Sequence, residues 1–311
     1  MGVPSVIVAY ISPGEVASRF ADSLAGLYRY DAAGARNIVG TISLRSGPRV
    51  AEARSQVVDA FGVHESDAEW LLMLDADMVF EPTLLEQLLE HADERLVPVL
   101  GGLCFAGVHG GKVYPTLYKL WNEDDGHVAI EPVDEYPPDA LVKVGATGAA
   151  CLLVHRSVYQ ALRRPGPPAG EAFDRRIHGF GTLANGAPNA FPWFSEGLTT
   201  SKGIPLGEDV SFCRKLMYLS IPIYVHTGIR LGHCKEWVLT ADSHDDYTRE
   251  RDRPANVLTA AMRVLRESGR FGPDDLAALE RYVRPRYSLL GYQERPAPEP
   301  FLLPEPIPMP A

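Results

Sequence analysis

Residues 70–78 read Trp70-Leu71-Leu72-Met73-Leu74-Asp75-Ala76-Asp77-Met78. A short apolar run of this kind suits a strand buried on both faces of a sheet. Two carboxylates with one residue between them close the run. In open α/β sheets ligands gather beyond the carboxyl ends of the strands, which puts Asp75 and Asp77 at the edge where chemistry is expected. Oxygen ligands suit hard divalent ions such as Mg²⁺ or Mn²⁺. An ion held there offsets charge on two phosphates. Two surface acids in a strand-to-helix turn give the same string, so the string alone leaves both readings open.

The flanking sequence supports the strand. Upstream, the β-branched run 4–11 ends in Ser12-Pro13-Gly14, a strand followed by a turn. Residues 15–30 carry helical spacing, 37–44 read as a second strand, and 50–61 are helical with Ala51, Arg54, Val57 and Val58 on repeating faces. Downstream, Glu81-Pro82-Thr83 opens a helix to about His91, and 96–105 is another apolar strand containing Gly101-Gly102. This alternation predicts an α/β fold with a mostly parallel central sheet flanked by helices.

Residues 112–120, 127–132 and 141–144 read as shorter strands, a small antiparallel part. A strand at 151–154 and a short helix at 157–162 follow. Residues 165–201 are rich in Gly, Pro, Asn and aromatics, the composition of a functional loop. Gly207-Glu208-Asp209 opens a helix to about Leu219, 221–226 is a strand, and 228–233 runs on into a loop. Residues 255–268 and 273–283 form a C-terminal helical hairpin, and the chain is proline-rich from Glu294. The expected division is 1–240 for the main domain, 241–293 for a helical extension and 294–311 for a tail able to bridge subunits of a homo-oligomer.

Of the 311 residues, 46% are hydrophobic and 23% charged, a globular composition. The net charge of −10 argues against a footprint on duplex nucleic acid. A local patch of Arg45, Arg49 and Arg54 remains for a small phosphate ligand. Cys104, Cys151, Cys213 and Cys234 lie in or beside apolar runs without a CxxC pair, which suits buried free thiols in a reducing compartment. The N-terminus lacks signal-peptide features, and no apolar stretch reaches the roughly 20 residues of a membrane helix. A cytoplasmic location is expected.

Three further constellations carry possible chemistry. Glu208 and Asp209 at a helix N-terminus suit simple capping, or a general base that takes a proton from an acceptor hydroxyl. In Gly232-His233-Cys234-Lys235, the neutral imidazole of His233 is either structural or a metal ligand, and Lys235 is a point charge suited to phosphate. Pro192-Trp193-Phe194-Ser195-Glu196 reads either as an acceptor-side loop with aromatic faces for sugar rings or as a buried aromatic plug.

Taken in order, these elements resemble the GT-A superfamily of nucleotide-diphosphate-sugar glycosyltransferases, in particular its family 2-like members. The match runs from Ala9-Tyr10-Ile11-Ser12 through the helix Arg49-Val50-Ala51-Glu52-Ala53-Arg54-Ser55 and through Asp75-Ala76-Asp77. It continues with Gly101-Gly102, a strand Val144-Gly145-Ala146-Thr147-Gly148-Ala149-Ala150-Cys151, Gly207-Glu208-Asp209 and Gly232-His233, covering about residues 3–240. The resemblance implies a metal-dependent transferase using Mn²⁺ or Mg²⁺ and a UDP- or GDP-sugar, with a glycan, protein or small molecule as acceptor. It places Tyr10 and Ser12 beside the nucleoside, and Arg54, Gly102 and Lys235 on the cofactor side. Asp75 would approach the ribose or the metal's water shell, and Asp77 and His233 would hold the metal. Asp209 would be the base, supported or replaced by Glu208, with Gly148, Trp193 and Glu196 on the acceptor side. Ser55 departs from the Asn many relatives carry there. Relatives include inverting and retaining enzymes, so the resemblance assigns no stereochemistry.

Two other readings stand beside this one. A nucleotidyltransferase of sugar-nucleotide synthesis would carry a glycine-rich basic loop after the first strand, and Ser12-Pro13-Gly14-Glu15-Val16-Ala17-Ser18 has none. A non-catalytic nucleotide-sugar binding module would not need intact acids in all three motifs.

Overall fold

β1 (Val6–Ser12), β2 (Ile38–Arg45) and β3 (Trp70–Asp75) are joined by α1 (Ser18–Ala33) and α2 (Val50–Phe61), and all three strands run parallel. Leu71 and Met73 pack against one face of the sheet, Leu72 and Leu74 against the other. Residues 70–74 of β3 are therefore apolar at every position because they have no solvent side. Fully burying each such side chain contributes roughly 1.5–3 kcal/mol.

The computed structural model describes residues 3–62, 67–107, 113–123, 127–163, 191–234, 238–239 and 241. They belong to one compact unit whose main segment is Met1–Ala241. The expected C-terminal hairpin and tail, and most of the loop 165–201, lie outside the described residues.

After β3 come β4 (Met78–Val79), α3 (Leu84–His91), β5 (Val99–Leu103), β6 (Phe105–Gly107), β7 (Val113–Pro115), β8 (Leu117–Asn122) and β9 (Val128–Pro132). Then follow β10 (Leu141–Val144), β11 (Ala146–Thr147), β12 (Cys151–His155), α4 (Arg156–Arg163), α5 (Glu208–Tyr218), β13 (Ile223–Arg230), β14 (Gly232–Cys234) and β15 (Val238–Leu239). The central sheet has seven strands in the order β10-β13-β5-β12-β3-β1-β2. β1, β2, β3, β5 and β13 share one direction, while β12 and β10 run against it. The mostly parallel α/β sheet expected from the sequence is present, with β12 inserted antiparallel between β3 and β5.

Side chains of α2, α4 and α5 pack in one apolar cluster and those of α1 and α3 in the other, so helices cover both faces. Smaller antiparallel sheets β11-β8-β9, β15-β14-β4 and β6-β7 stand beside the main one.

Two local expectations need correction. Residues 144–151 are not one strand. β10 ends at Val144, β11 joins β8 in another sheet, and β12 begins only at Cys151. The break lies at Gly145, where a Cβ would stand 2.3 Å from the backbone nitrogen of Leu120, so only glycine permits this approach of two backbones. The segment 228–233 is not a loop either. β13 continues to Arg230, and β14 follows after Leu231. Among the described residues no helix is long and apolar enough to cross a membrane.

Candidate active site

Arg54 lies on the buried face of α2, beside Ala53, Val57 and Val58. Gly62, at φ 65°, ends this helix in the left-handed conformation, its N–H on the carbonyl of Asp59. From that face Arg54 Nη2 donates to Asp75 Oδ1 at 2.7 Å, and Nε stands 3.4 Å from Glu208 Oε1. Three chain segments thus meet at one guanidinium. Burial works to lower the pKa of Arg54, but the charges of Asp75, Glu208 and Asp209 outweigh it and raise it. Burial also pushes Glu208 and Asp209 above the ordinary carboxylate range, with Arg54 opposing.

The acidic pair lies in the first turn of the helix and accepts backbone N–H groups there, as capping acids do, and it also faces Arg54. The N-cap is Gly207, which makes no side-chain capping bond. Asp209 folds back so that Oδ1 accepts the N–H of Val210 at 2.7 Å. Gly207 is what permits this, since a Cβ there would stand 2.5 Å from Asp209 Oδ1. The other oxygen, Oδ2, faces Gly148. A Cβ on Gly148 would stand 3.6 Å from Asp209 Oδ2 and 3.6 Å from Thr116 Oγ1. Gly148 therefore keeps space open between a carboxylate and a hydroxyl. The hydroxyl of Tyr118, on β8, is raised by burial, with Tyr114 and Asp209 adding to the shift. Thr116 and Tyr118 escaped the sequence reading, because only the pairing of β8 with β11 brings them beside Gly148.

Asp77 belongs to a different arrangement. β3 stops at Asp75 and the chain turns, so that β4 pairs with β14 in the register Gly232↔Val79 and His233↔Met78. This brings His233 Nε2 to 3.1 Å from Asp77 Oδ2. His233 Nδ1 lies 2.8 Å from the carbonyl oxygen of Phe105, which only accepts, so Nδ1 carries the hydrogen. In a neutral imidazole Nε2 then presents a lone pair to the carboxylate. A proton or a cation between the two atoms relieves that opposition.

The pair fits a divalent ion. Octahedral ligands at about 2.1 Å from a metal stand about 3.0 Å from each other. The carbonyl behind Nδ1 is the usual partner that orients a ligating histidine. Among the described residues no group of three or more His, Cys, Asp and Glu side chains forms a metal cluster. A site with one or two protein ligands that leaves the remaining positions to water and substrate phosphates is common for Mg²⁺-type ions. Beside these acids opens a cleft of ≈ 430 Å³, lined among others by Ile11, Pro13, Glu15, Arg54, Asp75 and Asp77, within the roughly 300–1,000 Å³ of ligand pockets.

The remaining residues singled out in the sequence divide between the edge of this cleft and other parts of the fold. The Tyr10 ring packs edge-on against Phe20, 5.3 Å between centroids, among the side chains of the α1 layer. Ser12 ends β1 between the cleft residues Ile11 and Pro13, its carbonyl accepting the N–H of Ser46. Gly102 is a packing glycine, because a Cβ there would meet Leu231 Cδ1 at 2.5 Å. Trp193 is fully buried and its Nε1 donates to Asp59 at 2.8 Å, so the aromatic plug describes it and no face is left for a sugar. Glu196 is exposed, and Lys235 lies outside the described residues. Of the three arginines, Arg49 bridges to Glu52 and Arg54 serves the acids. Cys104, Cys151 and Cys213 are buried free thiols, while Cys234 is half-buried.

No protein-family model and no curated protein matches the sequence. Among solved structures, the chain is similar to A197 from STIV, at 16% identity over 77% of this chain and 91% of that one, with a TM-score of 0.43. It is similar to GalNAc-T7, crystallised with UDP, GalNAc and Mn²⁺, at 12% identity over 76% of this chain, with a TM-score of 0.44. The alignment spans only 44% of the GalNAc-T7 chain. A glycosyltransferase involved in the glycosylation of the major capsid of PBCV-1 is similar at 13% identity, over 57% of this chain and 76% of that one, with a TM-score of 0.29. Likenesses at this level assign neither residues nor activity.

Proposed function

We propose that this chain is a metal-dependent glycosyltransferase that moves a sugar from a nucleotide diphosphate-sugar to an acceptor hydroxyl. The observation that carries the proposal is the convergence of Asp75, Asp77, Glu208, Asp209, Arg54 and His233 at one end of the sheet, from four separate elements and the turn after β3. An α/β sheet places its ligands at this edge.

In this reading Asp77 and His233 hold Mn²⁺ or Mg²⁺, which when bound supplies positive charge against the departing nucleotide diphosphate. Asp209 accepts the proton of the acceptor hydroxyl through Oδ2. The acceptor oxygen bonds to the anomeric carbon as the bond from that carbon to the diphosphate oxygen breaks. Arg54 keeps Asp75 and Glu208 in place and favours the ionised form of Asp209 that a base requires. Gly148 leaves room for the incoming hydroxyl, and Thr116 lies across that space. The Thr116 hydroxyl spends its proton on the carbonyl of Cys104 at 3.3 Å, a long bond that a rotation releases toward the acceptor.

The test is a panel of UDP- and GDP-sugars with and without Mn²⁺, read by thermal shift and by release of free nucleotide. The expected result is metal-dependent stabilisation by one nucleotide and slow hydrolysis of its sugar. If no nucleotide shifts the folded protein with metal present, the transferase reading is wrong.

A further inference from the structure

Lys215 is 4% exposed, and nothing in the proposed reaction uses it. It lies on α5 at spacings of seven residues from Glu208 and four from Ser211, so the three share one helix face. Its ammonium donates to the carbonyls of Pro192 and Trp193, the latter at 3.1 Å, and to Ser195 Oγ at 3.0 Å. All three donors of the ammonium are therefore spent on one short segment. Ser211 Oγ accepts the N–H of Ser195 at 3.0 Å and donates to the carbonyl of Glu208 at 2.8 Å.

The same segment is tied to α2. Ser55 Oγ donates to the carbonyl of Phe194 at 3.2 Å, and the N–H of Phe194 donates back to it at 3.1 Å. Asp59 accepts Trp193 Nε1 from the same side. The Phe194 ring stacks on Phe212 of α5, centroids 4.7 Å apart, and the Arg54 guanidinium lies 5.9 Å from the Phe194 ring centroid. Residues 192–195 thus bridge the helix that carries Arg54 and the helix that carries Glu208 and Asp209.

We infer that residues 192–195 are a strap that sets the spacing between Arg54 and the Glu208–Asp209 pair, and that Lys215 is the positioning residue that holds the strap. The catalytic part of this inference rests on the transferase reading, whereas the mechanical part does not. A buried ammonium is a costly way to fill space, and an apolar side chain of similar length fills it without desolvating a charge. An apolar residue would leave the strap oxygens unpaired and the strap unanchored on α5. Burial pulls the pKa of Lys215 down to about 7, while the three oxygens favour its charged form. Ser55 belongs to the same geometry, because its hydroxyl serves both polar groups of Phe194.

The experiment compares Lys215→Met with the wild type and with Leu88→Ala, a cavity in the opposite core that lowers stability without touching the strap. Hydrogen exchange is followed in peptides 50–59 and 206–212. Lys215→Met is expected to speed exchange in both peptides at least tenfold, and Leu88→Ala in neither beyond its global effect. With the donor that the wild type hydrolyses, Lys215→Met is expected to lower kcat at least tenfold. Its KM for donor and its affinity for UDP or GDP with Mn²⁺ should stay within about twofold, because Asp77 and His233 are held by other elements. Should Lys215→Met not fold, Ser195→Ala removes one of the three oxygens and is expected to produce the same split at smaller size. Unchanged exchange in both peptides, or a kcat that merely follows stability as in Leu88→Ala, overturns the inference. A wild type that hydrolyses no nucleotide-sugar defeats the transferase reading instead, and exchange alone then decides whether the strap exists.

Discussion

Asp75 and Asp77 are separated by one residue, yet they belong to two electrostatically different halves of the site. Asp75 lies with Glu208 and Asp209 around a cation built into the protein, the buried guanidinium of Arg54. Asp77 faces an imidazole whose Nδ1 proton is committed to a backbone carbonyl, so that its other nitrogen and the carboxylate are both acceptors when the ring is neutral. Continued extended structure would have put both acids on one face. The end of β3 at Asp75 and the turn that follows divide them. One half sets three carboxylates around a guanidinium, and the other pairs a carboxylate with an imidazole.

The strongest way to sharpen this contrast is to remove one acid from each half. Asp77→Ala is expected to abolish Mn²⁺-dependent nucleotide binding and lower turnover on the order of 10³-fold, the equivalent of several kcal/mol of lost charge stabilisation. Asp209→Asn is expected to lower turnover by roughly 10²–10⁴-fold while metal-dependent binding of UDP or GDP, measured by calorimetry, survives. Equal loss of binding in both variants would erase the distinction between the halves.

A smaller effect is expected from Gly207→Ala. The backbone at φ −66° accepts alanine, so the obstacle is Asp209 Oδ1 at 2.5 Å. The displaced carboxylate should cost about tenfold in kcat, from the sensitivity of proton transfer to placement, with the melting temperature and metal affinity unchanged.

The pH dependence separates the halves further. Burial raises the native pKa values of Glu208 and Asp209 above 4.5 and 3.8. Between those values and the raised native ones, the folded state holds more protons than the unfolded. The stability contributed by this pair is therefore full below the unfolded values and is lost as pH rises through the native ones. With Asp209 as the proposed base, turnover should climb across the same interval. Melting curves and kcat/KM profiles over this range should show the two trends in opposite directions, and Asp209→Asn should flatten the first.

The smallest effect on chemistry is expected from Gly102→Ala. Its Cβ would overlap Leu231, so a loss of about 1–3 kcal/mol in denaturant unfolding is anticipated, with turnover per folded molecule preserved.

What the sequence made legible was local. The apolar run before Asp75 reads as a strand because every position is buried, and α2 was placed over 50–61 because its apolar face repeats. The unread parts depend on partners far along the chain. β4 has only two residues and exists through β14, a pairing no local pattern announces. The break at Gly145 comes from the approach of Leu120. Arg54 looks like a phosphate ligand until Glu208 arrives beside it. Trp193 suited a sugar or a core equally well, since an indole does both, and only Asp59 at 2.8 Å separates the two. The two acids of Gly207-Glu208-Asp209 serve the first turn as capping acids do, with the glycine at the N-cap, and only the fold brings Arg54 beside them.

The length of chain between Asp77 and His233 has a consequence in time. Their contact closes across 156 residues, and contacts so distant in sequence form late because closing the loop costs entropy before any bond rewards it. At roughly 5–20 residues per second of synthesis, about 8–30 s pass between the emergence of one partner and the other. During that interval the first three strands can already assemble, since β1, β2 and β3 are neighbours in both sequence and space. The nascent protein then displays Asp75 and Asp77 on a growing sheet, but the imidazole that completes the second half has not yet been made. A chain ending before residue 233 keeps both of those acids and never acquires that half, which makes synthesis past His233 the event that brings this pair together.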